Sequence, residues 1–108
     1  MKRYNVQIMD DALDDMSEIS DYIKYKLKEP KIANEHIEAF LNEIDKLKNN
    51  ADIYELLDKS IVGEENIRKI NVKNYIIFYN IDESNFLVQV IAVFWGMSNW
   101  QTKIKKRI

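Results

Sequence analysis

Polar and apolar positions alternate at the start of the chain: Tyr4, Val6 and Ile8 against Arg3, Asn5 and Gln7. Period two predicts a strand with one buried face. From residue 10 the period changes. Leu13, Met16, Ile19, Ile23 and Leu27 recur at spacings of three and four, which predicts a helix with one apolar stripe. Asp10 offers an N-cap, and Asp11, Asp14 and Asp15 put negative charge in the first turns, where the helix dipole favours it. Pro30 stops this helix, because the residue before proline avoids the helical region, and it suits the first position of the next. Ala33, Ile37, Phe40, Leu41, Ile44 and Leu47 form a second stripe, closed by Asn49 and Asn50.

Residues 51–66 are weakly patterned. Ile53, Leu56 and Leu57 predict a short turn tucked under a sheet, and Gly63 marks a loop. In IRKINV, residues 67–72, Arg68, Ile70 and Val72 share one side. Lys73 and Asn74 predict a tight turn, Tyr75 to Ile81 a strand, and Asp82 to Asn85 a second turn. Phe86 to Trp95 reads as a longer strand in which Gln89 is the only polar residue. Strands apolar on both sides need cover on both sides. The order β-α-α-β-β-β predicts an α+β fold: a small, antiparallel four-stranded sheet with an N-terminal strand and a two-helix hairpin, Tyr75 to Ile81 being central. Two helices do not easily cover both faces, so a sheet face and a groove are expected to stay open for another protein. Without repeats or low-complexity tracts, residues 1–108 are expected to be one domain.

Composition narrows the function classes. Apolar residues make up 46% and charged residues 31%, as in ordinary globular proteins. Cysteine is absent, which removes disulfides, thiolate nucleophiles and Cys-based zinc sites and fits a reducing cytoplasm. The N-terminus lacks the apolar core of a signal peptide, and no run reaches the roughly 18 apolar residues of a membrane span. A cytoplasmic protein without membrane contact and without cofactor is expected. The net charge of −2 hides an asymmetry: residues 1–67 hold 16 acids against 9 Lys and Arg, residues 68–108 hold 2 against 7. Only the second part suits phosphate or an acidic partner.

Four stretches together carry a resemblance: ALDDMSEISDYI (12–23), PKIANEHIEAFLNEIDKL (30–47), IRKINVKNYIIFYNID (67–82) and VQVIAVFWGMSNW (88–100). In that order they resemble the RelE/ParE toxin superfamily over nearly the whole chain. The resemblance implies the toxin of a type II toxin–antitoxin module, of the plasmid stabilisation kind, neutralised by a cognate antitoxin protein. RelE-like members cut mRNA on the ribosome; ParE-like members poison DNA gyrase. RelE-like enzymes carry an arginine inside the Tyr-x-x-x-Tyr strand and another after the last strand. Here YIIFY has Ile76, and WGMSNW has Met97 and Ser98. YIIFY looks more like the ParE-type strand, and the acidic balance of the chain is poorly matched to a phosphate-rich ribosomal site. Gyrase inhibition by binding is therefore the leading expectation. The alternative is a ribosome-dependent mRNA endonuclease in which Arg68, Lys73, Tyr75 and Tyr79 hold and polarise the RNA. A third reading is a non-toxic relative that only binds antitoxin.

Target or antitoxin contacts are expected at Arg68, Trp95, Asn99, Trp100, Lys103, Lys105, Lys106 and Arg107. Arg68 has a second reading, as a partly buried arginine paired with a carboxylate. Trp95 is expected in the core, and Trp100 is left open between core packing and stacking on a partner. The cationic tail TKIKKRI reads either as a solvated end or as a surface for an acidic partner. His36 is expected on the surface of the second helix, away from the sheet. Asp14, Asp15 and Glu18 are read as helix-start chemistry rather than a metal site. A homodimer and a monomer are both compatible with the sequence.

Overall fold

The computed structural model describes residues 3–108. The chain runs β1 (Asn5–Ile8), α1 (Asp10–Asp21), a π-helical turn (Tyr22–Lys26), α2 (Pro30–Asp45), α3 (Leu47–Asn50), α4 (Lys59–Val62), β2 (Ile67–Val72), β3 (Tyr75–Asp82), β4 (Leu87–Trp95) and α5 (Trp100–Arg107). The sheet order is β1-β4-β3-β2. The three C-terminal strands form an antiparallel meander with β3 inside, as the unbroken apolar run Tyr75–Ile81 requires. β1 pairs with β4 in parallel, so the sheet is mixed rather than antiparallel throughout. The cause is connectivity. The helical hairpin returns the chain to the end from which β1 started, β2 repeats the direction of β1, and two tight reversals give β4 that direction too.

One sheet face carries Ile70, Val72, Ile77, Tyr79, Val88, Val90 and Val93, packed under Ala12 and Met16 of α1 and Phe40 and Ile44 of α2. The opposite face carries Ile67, Ile76, Phe78, Ala92 and Phe94, covered by Val62 and Ile104 with Trp100 against them. The second face is therefore closed largely by α4 and α5, two elements the apolar stripes did not predict. α4 is short and N-capped by Asp58, whose side chain accepts from the Ser60 amide.

Local chemistry explains three departures from simple periodicity. In the π-helical turn the Leu27 amide bonds the Tyr22 carbonyl at 3.1 Å, five residues back. The widened turn takes Leu27 off the apolar stripe and leaves it exposed. Lys28, at φ 58°, then closes the helix in the left-handed conformation before Pro30. In β4 the register shifts: Phe78 faces Ala92, but Tyr79 faces Val90. The skipped residue, Ile91, forms a β-bulge that inverts the in–out alternation beyond it. Val93 and Trp95 consequently share a face with Val88 and Val90. Finally, the outer edge of β2 is shielded by residues 55–57: Leu57 donates to the Ile67 carbonyl and Lys69 to the Glu55 carbonyl. Leu57 is buried there, whereas Ile53 and Leu56 stay exposed.

Candidate functional site

An open groove of about 860 Å³ cuts into the molecule. It follows the end of β4 between the helical hairpin and α5. Ile19, Tyr22 and Leu27 form one wall, and Lys103, Lys106 and Arg107 the other. Tyr75, Val93, Phe94 and Trp95 lie between them. Tyr75 and Trp95 are partners across β3 and β4. The bulge at Ile91 explains why Trp95, expected in the core, stands 52% exposed at the groove. Its side chain emerges on the hairpin face, where the helices no longer reach it.

The two walls meet at a charged clasp. Arg107 donates to both carboxylate oxygens of Asp15, at 2.9 and 3.1 Å, and to the Ile91 carbonyl at 2.9 Å. Asp15 also accepts from the Val93 amide at 3.0 Å. One ion pair thus satisfies both backbone groups that the bulge turns outward. The carboxylate holds the Arg107 guanidinium in its charged form, pushing its pKa up. Arg107 and Lys103 also lie over the Phe94 ring, at 5.1 and 5.5 Å. The tail is therefore an ordered helix anchored by buried Ile104, not a frayed end. Lys105 is exposed but does not line the groove.

The other sequence-selected residues fall elsewhere. Arg68 donates to the Asp52 and Tyr54 carbonyls, so its partners are backbone oxygens and not the carboxylate expected. Tyr79 is fully buried and donates to the Ala51 carbonyl; burial pushes its phenol pKa up, out of reach of neutral-pH chemistry. Lys73 sits in the β2–β3 turn at φ 58°. Tyr75 faces the groove, but Ile76 beside it points into the opposite core. The four residues expected to hold RNA are therefore not gathered into one pocket. Trp100 packs its ring 5.4 Å from Phe78 and lies half-buried against the second core. Asn99 is exposed and precedes α5. His36 is not remote from the sheet: its ring meets Tyr75 edge-on at 5.8 Å.

Sequence reasoning missed the hairpin wall. Ile19 and Leu27 read as ordinary stripe positions, and Tyr22 was not singled out. The available signal was an aromatic residue, Tyr22, off the apolar stripe.

No curated protein sequence matches the chain. Solved structures do. A chromosomal ParDE toxin–antitoxin system from P. aeruginosa matches with TM-score 0.70 at 13% identity, covering 88% of this chain and 98% of that one. A mutant of the E. coli toxin RelE in the free state matches with TM-score 0.58 at 14% identity, covering 98% and 99%. An archaeal RelE–RelB complex from Pyrococcus horikoshii gives 0.55 at 14% identity, covering 90% and 98%. At such identities these likenesses establish the fold, an α+β arrangement shared by RelE and ParE proteins. Residues 6–100 match the model of the family described as the ParE toxin of the type II toxin–antitoxin system parDE. That span takes in both halves of the helical hairpin, all of the sheet but Asn5, and the floor of the groove, and by it the chain belongs to the ParE toxin family.

Proposed function

We propose that this ParE-family toxin arrests growth by binding and inhibiting DNA gyrase, and that a cognate antitoxin holds it silent in the cell. The observation that carries the choice of target is the burial of Ile76 and Tyr79. The strand position where RelE-like enzymes carry an arginine holds an apolar side chain that closes the second core. Tyr79 is sealed in the first core, and Arg68 is occupied by carbonyl groups. General acid–base cleavage of RNA needs a proton acceptor, a proton donor and cations converging on one phosphate. The four residues that the endonuclease reading needs, Arg68, Lys73, Tyr75 and Tyr79, do not meet in one pocket. A binding-based mechanism needs only an exposed surface, and the groove with its aromatic rim and cationic wall supplies one. The antitoxin reading is supported by the neighbours, which include a ParDE system and a RelE–RelB complex.

The test is induction of the chain in a bacterium, with RNA 5′ ends mapped in the arrested culture and supercoiling by purified gyrase followed with added protein. Arrest without new mRNA ends, together with loss of supercoiling, is the expected result. New ends at codon-related positions with supercoiling intact would overturn the gyrase assignment.

A further inference from the structure

The averaged charge of the acidic half conceals an island of opposite sign. Residues 22–32, YIKYKLKEPKI, hold four lysines against one glutamate. The rest of residues 1–67 then holds five Lys and Arg against fifteen acids. The island is the apex of the helical hairpin: the π-helical turn, the loop through Lys28 and the start of α2. Every residue in it is exposed except Ile23, which is buried. Two backbone bonds fix its shape: Leu27 donates to the Tyr22 carbonyl, and Glu29 to the Ile23 carbonyl at 3.0 Å. A left-handed residue after a helix is usually Gly or Asn; here it is a third lysine, Lys28. No described carboxylate forms an ion pair with Lys24, Lys26, Lys28 or Lys31. Tyr25 stands 65% exposed among them, with the Lys24 ammonium 5.2 Å from its ring centre. Neither Tyr25 nor any of the four lysines lines the groove, so the apex is a separate surface.

We infer that the hairpin apex binds single-stranded DNA, its lysines meeting the phosphates and Tyr25 stacking on an unpaired base. The choice of DNA over RNA rests on the function proposed above, since gyrase works on DNA; the rest stands on the apex itself. Charge selects the ligand class. Four ammonium groups without ion pairs, packed into residues 24–31, suit a polyanion with closely spaced charges, whose condensed counterions are released on binding. The exposed acids on the flanks, Asp14, Glu18 and Asp21 of α1 and Glu35 and Glu38 of α2, repel such a strand and confine it to the apex. The aromatic ring selects the state of the strand. In a duplex the base faces are already stacked, whereas an unpaired base offers an exposed ring a partner. A lipid surface suits the apex less well, because a segment lying in the headgroup region is held by apolar side chains. Leu27 lines the groove instead, and Ile32, 39% exposed, is the one aliphatic residue of the apex left outside it.

The experiment uses the full chain and a fluorescein-labelled oligothymidine strand, followed by fluorescence anisotropy at low salt. The expected result is binding in the micromolar range that weakens about tenfold when the salt is tripled, as about three phosphate contacts on a single strand require. Lys24→Gln, Lys26→Gln and Lys28→Gln together should weaken it by about tenfold or more and flatten the salt dependence. Lys46→Gln, Lys48→Gln and Lys59→Gln, the same loss of charge at exposed positions elsewhere, should leave it unchanged. Tyr25→Ala should weaken binding by about tenfold, and Tyr25→Phe, which keeps the ring, should restore it. Equal losses from the two lysine triples, a duplex that binds as tightly as the single strand, or no anisotropy change up to near-millimolar protein would overturn the site. Much tighter binding of an oligouridine strand would overturn it in favour of RNA. Binding to phosphatidylglycerol vesicles with none to the strand would overturn it in favour of a membrane. Strand binding without any effect on supercoiling would sink the gyrase assignment and leave the apex site standing; inhibition of gyrase by a chain that binds no strand would do the reverse.

Discussion

Arg107 and Asp15, 92 positions apart in sequence, are joined by a two-pronged ion pair at 2.9 and 3.1 Å that also ties down the bulge in β4. The pair is largely shielded, with side-chain exposures of 22% and 12%. Losing Asp15 leaves the Val93 amide without its acceptor and Arg107 with only the Ile91 carbonyl and a 3.9 Å contact to Asp11. We expect Asp15→Ala to lower stability by about 3 kcal/mol in urea denaturation. Arg107→Lys, which lacks the forked geometry, should recover only part of the loss caused by Arg107→Ala.

Ile76→Arg restores the cation that RelE-like strands carry, yet it should not create a nuclease. Ile76 packs in the second core. A guanidinium placed there is desolvated, and we expect a loss of about 3–5 kcal/mol. Circular dichroism melts should show it before any RNA assay is informative.

Tyr79 gives a pH signature. Burial raises its phenol pKa above the ordinary 10.0. A raised value means that its contribution to stability is complete below 10.0 and is lost as pH climbs beyond it. Ultraviolet titration of the folded protein should show one tyrosine that resists ionisation until the chain unfolds. Tyr79→Phe should remove that signature and cost about 1–2 kcal/mol, because the Ala51 carbonyl loses its donor.

The cap on α4 titrates at the other end of the scale. Hydrogen bonding from Ser60 lowers the Asp58 pKa below 3.8. A lowered value means that the stabilisation is present above 3.8 and is lost as pH falls through the folded-state value. Stability curves of the parent and Asp58→Ala should therefore run parallel at neutral pH and converge only below 3.8.

Lys73 occupies a left-handed conformation, φ 58°, that lysine adopts at a cost. Lys73→Asn should raise stability by about 0.5 kcal/mol, read as a shift in urea midpoint at unchanged slope.

The period of apolar residues made most of this fold legible. β1, the helical hairpin and the three C-terminal strands follow from alternation or from spacings of three and four. The central place of Tyr75–Ile81 follows from its apolarity on both sides. What escaped was set by groups with no periodic trace. The bulge at Ile91 arises inside an uninterrupted apolar run, so nothing in VQVIAVFW marks where the alternation inverts, and the usual burial of tryptophan points Trp95 to the core. α5 holds four cations around one buried isoleucine, too few apolar positions to announce a packed helix. The parallel sense of β1 depends on the path of the whole hairpin, not on its own four residues. Of the groove's lining, the residues legible in the sequence were those of unusual charge, Lys103, Lys106 and Arg107. Leu27 was not, because its exposure comes from a turn widened by one residue.

The segment Glu55–Leu57 alongside β2 has a consequence for how the protein behaves at high concentration. A bare strand edge is a template on which further chains can stack without limit. Here the two outer strands of the sheet are handled differently. A loop occupies the first part of β2, and β1 on the other side is only four residues long. Both devices discourage edge-to-edge polymerisation. Shortening the 55–57 loop should convert a well-behaved toxin into one that forms fibrils, even though nothing near the groove would have changed.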